Sequence, residues 1–73
     1  MKVLINNELY EMNRKQLRGA LKAASSLIPF WIYAVQKGDV CELRKDKFDN
    51  ADELKNAVGA YKEKGFKVYS NGI

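Results

Sequence analysis

FWIYAVQKGDVCELR, residues 30–44, is the stretch on which the fold turns. Phe30 to Gln36 is rich in aromatic and β-branched residues, Lys37-Gly38 supplies a turn, and Val40 to Arg44 returns as a second strand. With a two-residue turn, Ile32 pairs with Leu43 and Ala34 with Cys41. Trp31, Tyr33, Val35, Val40, Glu42 and Arg44 then share the other face, because side chains alternate along a strand.

Immediately upstream, Pro29 disfavours helical geometry at Ile28, so a helix arriving from the N-terminal side ends by about Ser26 or Leu27. That helix starts near Asn13, a good N-cap, with Gln16 completing a capping box. Leu17, Ala20, Leu21, Ala24 and Ile28 recur at helical spacing and form one apolar stripe. Further upstream, two short apolar-rich runs, residues 2–5 and 8–12, flank Asn6-Asn7. Asparagine tolerates the positive φ that a type I′ turn needs at both centres, so a hairpin is expected. Its register sets Lys2 against Glu11, Val3 against Tyr10 and Leu4 against Leu9.

Downstream, Asn50 and Glu53 make a second capping box. Leu54, Ala57, Val58 and Tyr61 form the buried stripe of a second helix. Asp52 and Glu53 stand at its start, Lys62 and Lys64 at its end, and Gly65 stops it, all in agreement with the helix dipole. Phe66 to Ser70 reads as a last strand, with Phe66 and Val68 inward and Lys67 and Tyr69 outward. The expectation is a single small α+β domain over residues 1–73, order β-β-α-β-β-α-β. Its mainly antiparallel sheet would have two helices packed on one face. Residues 8–70 alone have the order of a ferredoxin-like fold. That fold flanks its first core strand on both sides, leaving the first hairpin no place, so strand order stays open.

Composition narrows the function classes. At 47% apolar and 30% charged the chain is globular, not disordered. It has no histidine and one cysteine, Cys41, which excludes an intrachain disulfide and a structural zinc site of the usual type. A lone thiol fits a reducing, cytoplasmic setting. No signal-peptide core follows Lys2, and no apolar run approaches the roughly 20 residues of a membrane span. Without a histidine base, a phosphate loop or a nucleophile motif, an enzyme is not expected, nor a cofactor. The acids Asp46, Asp49, Asp52 and Glu53 lack the spacing of a calcium loop and read as capping of the second helix, so no metal is expected.

The net charge of +4 sits in one place. Residues 13–28 hold Arg14, Lys15, Arg18 and Lys22 and no acid, while the remainder carries nine basic and nine acidic residues. Arg14, Ser25, Arg18, Lys22 and Lys15 fall within about 100° of helical arc, beside the apolar stripe. Arg14, Arg18 and Lys22 are like-charged i,i+4 neighbours, and Arg14 and Lys15 oppose the helix dipole. A chain that places charges well on its second helix and badly on its first is keeping the first for a partner. The competing reading is a solubilising face. On the sheet, Trp31, Tyr33, Tyr69, Arg44 and Lys67 are expected to line an open side. Such a set serves as a protein interface or as a stacking platform for single-stranded bases. An open face with Trp31, Tyr33, Val35 and Val40 would also favour a homodimer.

The stretch Ile32–Gly72 (IYAVQKGDVCELRKDKFDNADELKNAVGAYKEKGFKVYSNG), with the opening KVLINNELYEM, resembles small uncharacterised proteins of phages and prophages of Gram-positive bacteria. The resemblance carries no catalytic or binding residues and implies a setting, that of small proteins redirecting host factors. The leading expectation is therefore a non-enzymatic binding protein in the host cytoplasm. It would dock on a host protein with an acidic surface through Arg14, Lys15, Arg18 and Lys22, with Trp31, Tyr33, Arg44 and Tyr69 as interface residues. A weak nucleic-acid-binding domain is the alternative. A third reading places an anion or nucleotide near Ser25, Lys22 and Arg18.

Overall fold

The computed structural model describes residues 1–25 and 28–72. Strand β1 spans Lys2–Ile5, β2 Glu8–Glu11, helix α1 Arg14–Ser25, β3 Trp31–Lys37, β4 Val40–Lys47, α2 Ala51–Glu63 and β5 Lys67–Asn71. The expected end of α1 at Ser26 or Leu27 lies outside the described residues.

Turns and caps form where local chemistry demands them. Asn6 and Asn7 take φ of 50° and 66°, and the β1–β2 register is the expected one, Lys2 opposite Glu11 and Leu4 opposite Leu9. The Asn13 side chain accepts from the Gln16 N–H at 2.8 Å while the Gln16 amide oxygen accepts from the Asn13 N–H at 3.1 Å, closing the capping box of α1. At α2, Asn50 accepts from the Glu53 N–H at 3.0 Å, but Glu53 reaches back to the Asp49 N–H instead of Asn50. Gly65, at φ 87°, ends α2 with paired bonds from Gly65 N–H to the Lys62 carbonyl and from Phe66 N–H to the Tyr61 carbonyl.

The central hairpin departs from expectation by one turn position. Gly38, at φ 60°, leads the turn with Asp39, and Lys37 pairs with Val40. A two-residue hairpin turn wants positive φ at its first centre, which glycine gives without strain. Ala34 therefore meets Leu43 and Gln36 meets Cys41, two residues away from the expected register. A second irregularity falls at Tyr33, where the pairing shifts against both neighbours, β4 and β5. As at a bulge, the side-chain alternation of β3 slips there.

The five strands form one sheet in the order β2-β1-β4-β3-β5, antiparallel except for β1 beside β4. This is not the ferredoxin-like order, because β1 has a parallel partner in β4 and the first hairpin builds one edge. The α+β class, the element order and the mainly antiparallel sheet are as expected. The helices share one sheet but not one face. The connection β2-α1-β3 joins parallel strands, and so does β4-α2-β5. The two pairs point in opposite directions, yet both step toward the β5 edge. Parallel crossovers are right-handed in about 98% of cases, and two right-handed connections so arranged lie on opposite faces.

Packing agrees. Leu17 of α1 packs with Val3, Ala34 and Cys41, joined by Tyr33, Leu43 and Tyr69. Leu54 and Val58 of α2 pack with Ile32 and Val35, joined by Phe66 and Val68. Neighbours in sequence go to different clusters: Ile32 against Tyr33, Ala34 against Val35, Val68 against Tyr69. The open aromatic face expected from alternation does not exist. Trp31 is 3% exposed and Val35 1%, with the slip at Tyr33 placing them on opposite sides. Of the face expected to support a homodimer, Trp31 and Val35 are buried within one chain, Tyr33 is half-buried and Val40 stays exposed. Among the described residues, the large apolar side chains left exposed are Leu9 and Tyr10 on β2 and Val40 at the start of β4.

Trp31→Lys should therefore abolish the cooperative thermal transition seen by circular dichroism. Truncating a buried tryptophan to alanine costs roughly 3–5 kcal/mol, comparable to the whole stability of a domain this small. A folded Trp31→Lys variant with a near-native Tm would show that the indole is not core.

Candidate anion-binding face and groove

Helix α1 covers its side of the sheet with Leu17 buried and Leu21 half-buried, which turns Arg14, Lys15, Arg18 and Lys22 to solvent. All four are exposed, and the first turn of α1 holds no acid. Among the described residues the ion pairs join the N-terminal amine to Glu11, and Arg44 to Glu42 and Asp46. None reaches an α1 cation, so the charge of this face is left uncompensated by its own fold.

Two of the four cations border a concavity. Arg14 and Arg18, one turn apart, line a groove of about 450 Å³ together with Met1, Leu17, Leu21, Gln36, Lys67 and Tyr69, the Met1 ammonium being held by Glu11 at 2.9 Å. Lys67 is the first residue of β5, and its Nζ lies 5.1 Å from the centre of the Tyr69 ring. The Tyr69 hydroxyl donates to Gln36 Oε1 at 2.9 Å, and Gln36 Nε2 in turn donates to the Gly38 carbonyl at 3.3 Å. A tyrosine oxygen that donates its proton keeps acceptor capacity toward the groove. No acidic side chain lines it among the described residues.

Lys15 and Lys22 stay on the open helix face, outside the groove lining. Of Ser25, Lys22 and Arg18, named above for an anion or nucleotide, Arg18 alone lines this groove. The Ser25 hydroxyl donates to the Lys22 carbonyl at 2.9 Å. The four sheet residues expected to act together are also divided. Trp31, Tyr33 and Tyr69 run in a row on the α1 side, with ring centres 6.2 and 6.3 Å apart, and Trp31 is buried. Arg44 lies on the α2 side, bonded to Asp46 and Glu42, each at 2.7 Å, and stacked 5.8 Å over Tyr61. Its hydrogen bond to Asp46 holds the guanidinium even more firmly protonated than usual.

Lys67 is the groove-lining side chain that sequence reasoning misplaced. Alternation put it on the same side as Tyr69, which is correct, but that side is the one α1 covers. Its meeting with Arg14 and Arg18 depends on β5 lying next to β3 at the sheet edge, a long-range fact without a local signature. Cys41 is fully buried, and burial pushes its thiol pKa up, so it is an inert core residue. Among the described residues no group of acids, cysteines or histidines could hold a metal ion, and no helix is long and apolar enough to cross a membrane. No protein-family model, curated protein or solved structure matches this chain.

Two measurements follow from this geometry. Arg14→Glu should raise stability by about 0.3–1 kcal/mol, through the helix dipole and a new attraction to Arg18, shifting Tm upward by a few degrees. An unchanged or lower Tm would mean that the fold itself uses Arg14. Stability should also fall as pH rises. Burial raises the pKa of both Cys41 and Tyr61, with Asp46 adding to the rise at Tyr61, so the native state holds the neutral forms. The unfolded chain ionises first, and the contribution, complete at neutral pH, is lost above about 8.5–10. The double variant Cys41→Ala, Tyr61→Phe should lose less Tm than wild type between neutral pH and about 10; an equal loss would assign the alkaline sensitivity elsewhere.

Proposed function

We propose that the chain is a non-enzymatic binding domain that docks on an acidic macromolecular surface through the exposed face of α1. One observation carries this reading: Arg14, Lys15, Arg18 and Lys22 are all exposed and none has an acidic partner among the described residues. The same chain neutralises Arg44 twice over and puts Asp52 and Glu53 at the start of α2. Uncompensated cations on one helix face steer encounter with an acidic partner and fix its orientation. The resemblance to phage and prophage proteins supplies the setting, a macromolecule of the bacterial host and its cytoplasm.

A protein surface is favoured over nucleic acid as the partner. Base stacking calls for an open face of Trp31, Tyr33, Tyr69, Arg44 and Lys67, and Trp31 is closed off within the core. Four cations alone contact few phosphates and would hold nucleic acid weakly and only at low salt.

The test is capture from a bacterial lysate by immobilised wild type and by the variant with Arg14, Lys15, Arg18 and Lys22 all changed to Glu. The wild type should retain acidic proteins that the variant, equally folded by circular dichroism, does not. The same set retained by both would refute docking through α1. Retention of oligonucleotides in place of proteins, lost between low and moderate salt, would favour the nucleic-acid reading.

A further inference from the structure

We infer that the groove between α1 and β5 is a binding site for a small phosphate monoester with an apolar or aromatic body, the class to which nucleoside monophosphates belong. The inference rests on reading the α1 cations as anion-binding groups. It adds a residue, Lys67, that docking on a macromolecule does not need.

Charge is the first ground. Arg14 and Arg18 on α1 and Lys67 on β5 come from elements far apart in sequence, yet all line one concavity. None of the three is engaged by an acid, and no acid lines the groove, among the described residues. A concave wall of low dielectric focuses such a field. Two guanidinium groups present planar donor forks that match phosphate oxygens, and a lysine adds a compact third charge. A carboxylate, with one negative charge, would leave most of this unanswered; a phosphate monoester carries about −1.5 to −2 at neutral pH.

The shape is the second ground. A groove of about 450 Å³, widely open to solvent, is larger than a bare phosphate needs and leaves room beside it for an organic body. Away from Arg14, Arg18 and Lys67 its lining is Met1, Leu17, Leu21 and the Tyr69–Gln36 pair, a wall of mixed apolar and polar character. That wall has room for the organic part of an ester.

The chain has no histidine, which makes pH a clean probe of the ligand. Between pH about 5 and 7 the monoester passes through its second ionisation, near 6. Adenosine monophosphate, adenosine, inorganic phosphate and sulfate should be titrated into the protein by calorimetry, and the protein's amide resonances followed by NMR. Adenosine monophosphate should bind saturably and tighten across that pH interval, while sulfate shows no such change and adenosine does not bind. Lys67→Gln should weaken the nucleotide about fivefold or more, as expected for one lost charge-assisted contact. Lys55→Gln removes the same charge from the exposed side of α2 and should leave binding within about twofold. No saturation by the nucleotide up to about 5 mM would overturn the inference. So would equal weakening by Lys67→Gln and Lys55→Gln, which would mean a diffuse field and not a site. Inorganic phosphate binding as tightly as the nucleotide would overturn the organic body. Acidic partners still captured by Lys67→Gln leave docking through α1 standing whatever the groove does.

Discussion

The slip in side-chain alternation at Tyr33 is the constraint around which the molecule is organised. A regular β3 would send Trp31, Tyr33 and Val35 to one side and Ile32 and Ala34 to the other. With the shift, Tyr33 and Ala34 pack toward α1 while Ile32 and Val35 pack toward α2. One strand thereby supplies both cores, and four of its seven residues are buried. For so short a chain this is an economical way to enclose apolar surface, since each buried strand residue serves a layer above or below without a second sheet. The two helices then need only one narrow stripe each, Leu17 and Leu21 on α1, Leu54 and Val58 on α2.

What could be read from the sequence was whatever depends on neighbours a few residues apart. The Asn6-Asn7 hairpin, its register and both N-caps are local chemistry and were legible residue by residue. The central hairpin was legible as a hairpin, but its register was not, because Lys37-Gly38 and Gly38-Asp39 are both acceptable turns and only the position of glycine separates them. The faces of β3 were not legible, because the irregularity at Tyr33 is imposed by β4 and β5 from either side and leaves no mark in the residues themselves. The same blindness placed Trp31 on an open surface. For the candidate site, the basic face of α1 was visible as an uninterrupted run of cations at helical spacing. Its extension to Lys67 required strand order.

Stability and binding pull α1 in opposite directions. Its amino end carries Arg14 and Lys15 where the dipole calls for acids, and its cations repel one another along one row. The Asn13 and Gln16 cap and the burial of Leu17 offset that strain. α2 shows the contrasting solution within the same chain, with acids first and a lysine in its last turn. A helix held by its apolar stripe and its cap, and not by its charges, leaves its outer face available for something other than folding.

The parallel contact of β1 with β4 has a consequence for how the chain is made. Val3 lies beside Cys41 and the Lys2 N–H donates to the Asp39 carbonyl, so residues 2–5 find these sheet neighbours only after the central hairpin exists. On a ribosome the Asn6-Asn7 hairpin can close early, but it must wait with Val3 and Leu4 uncovered while α1 and the central hairpin are produced. The β5 edge, at the other end of the sheet, is completed by Lys67–Asn71, which follow the central hairpin in the chain. Docking of the β1–β2 hairpin is thus a long-range event, as is the pairing of β5 with β3, and closing such spans is the step expected to govern the pace of folding.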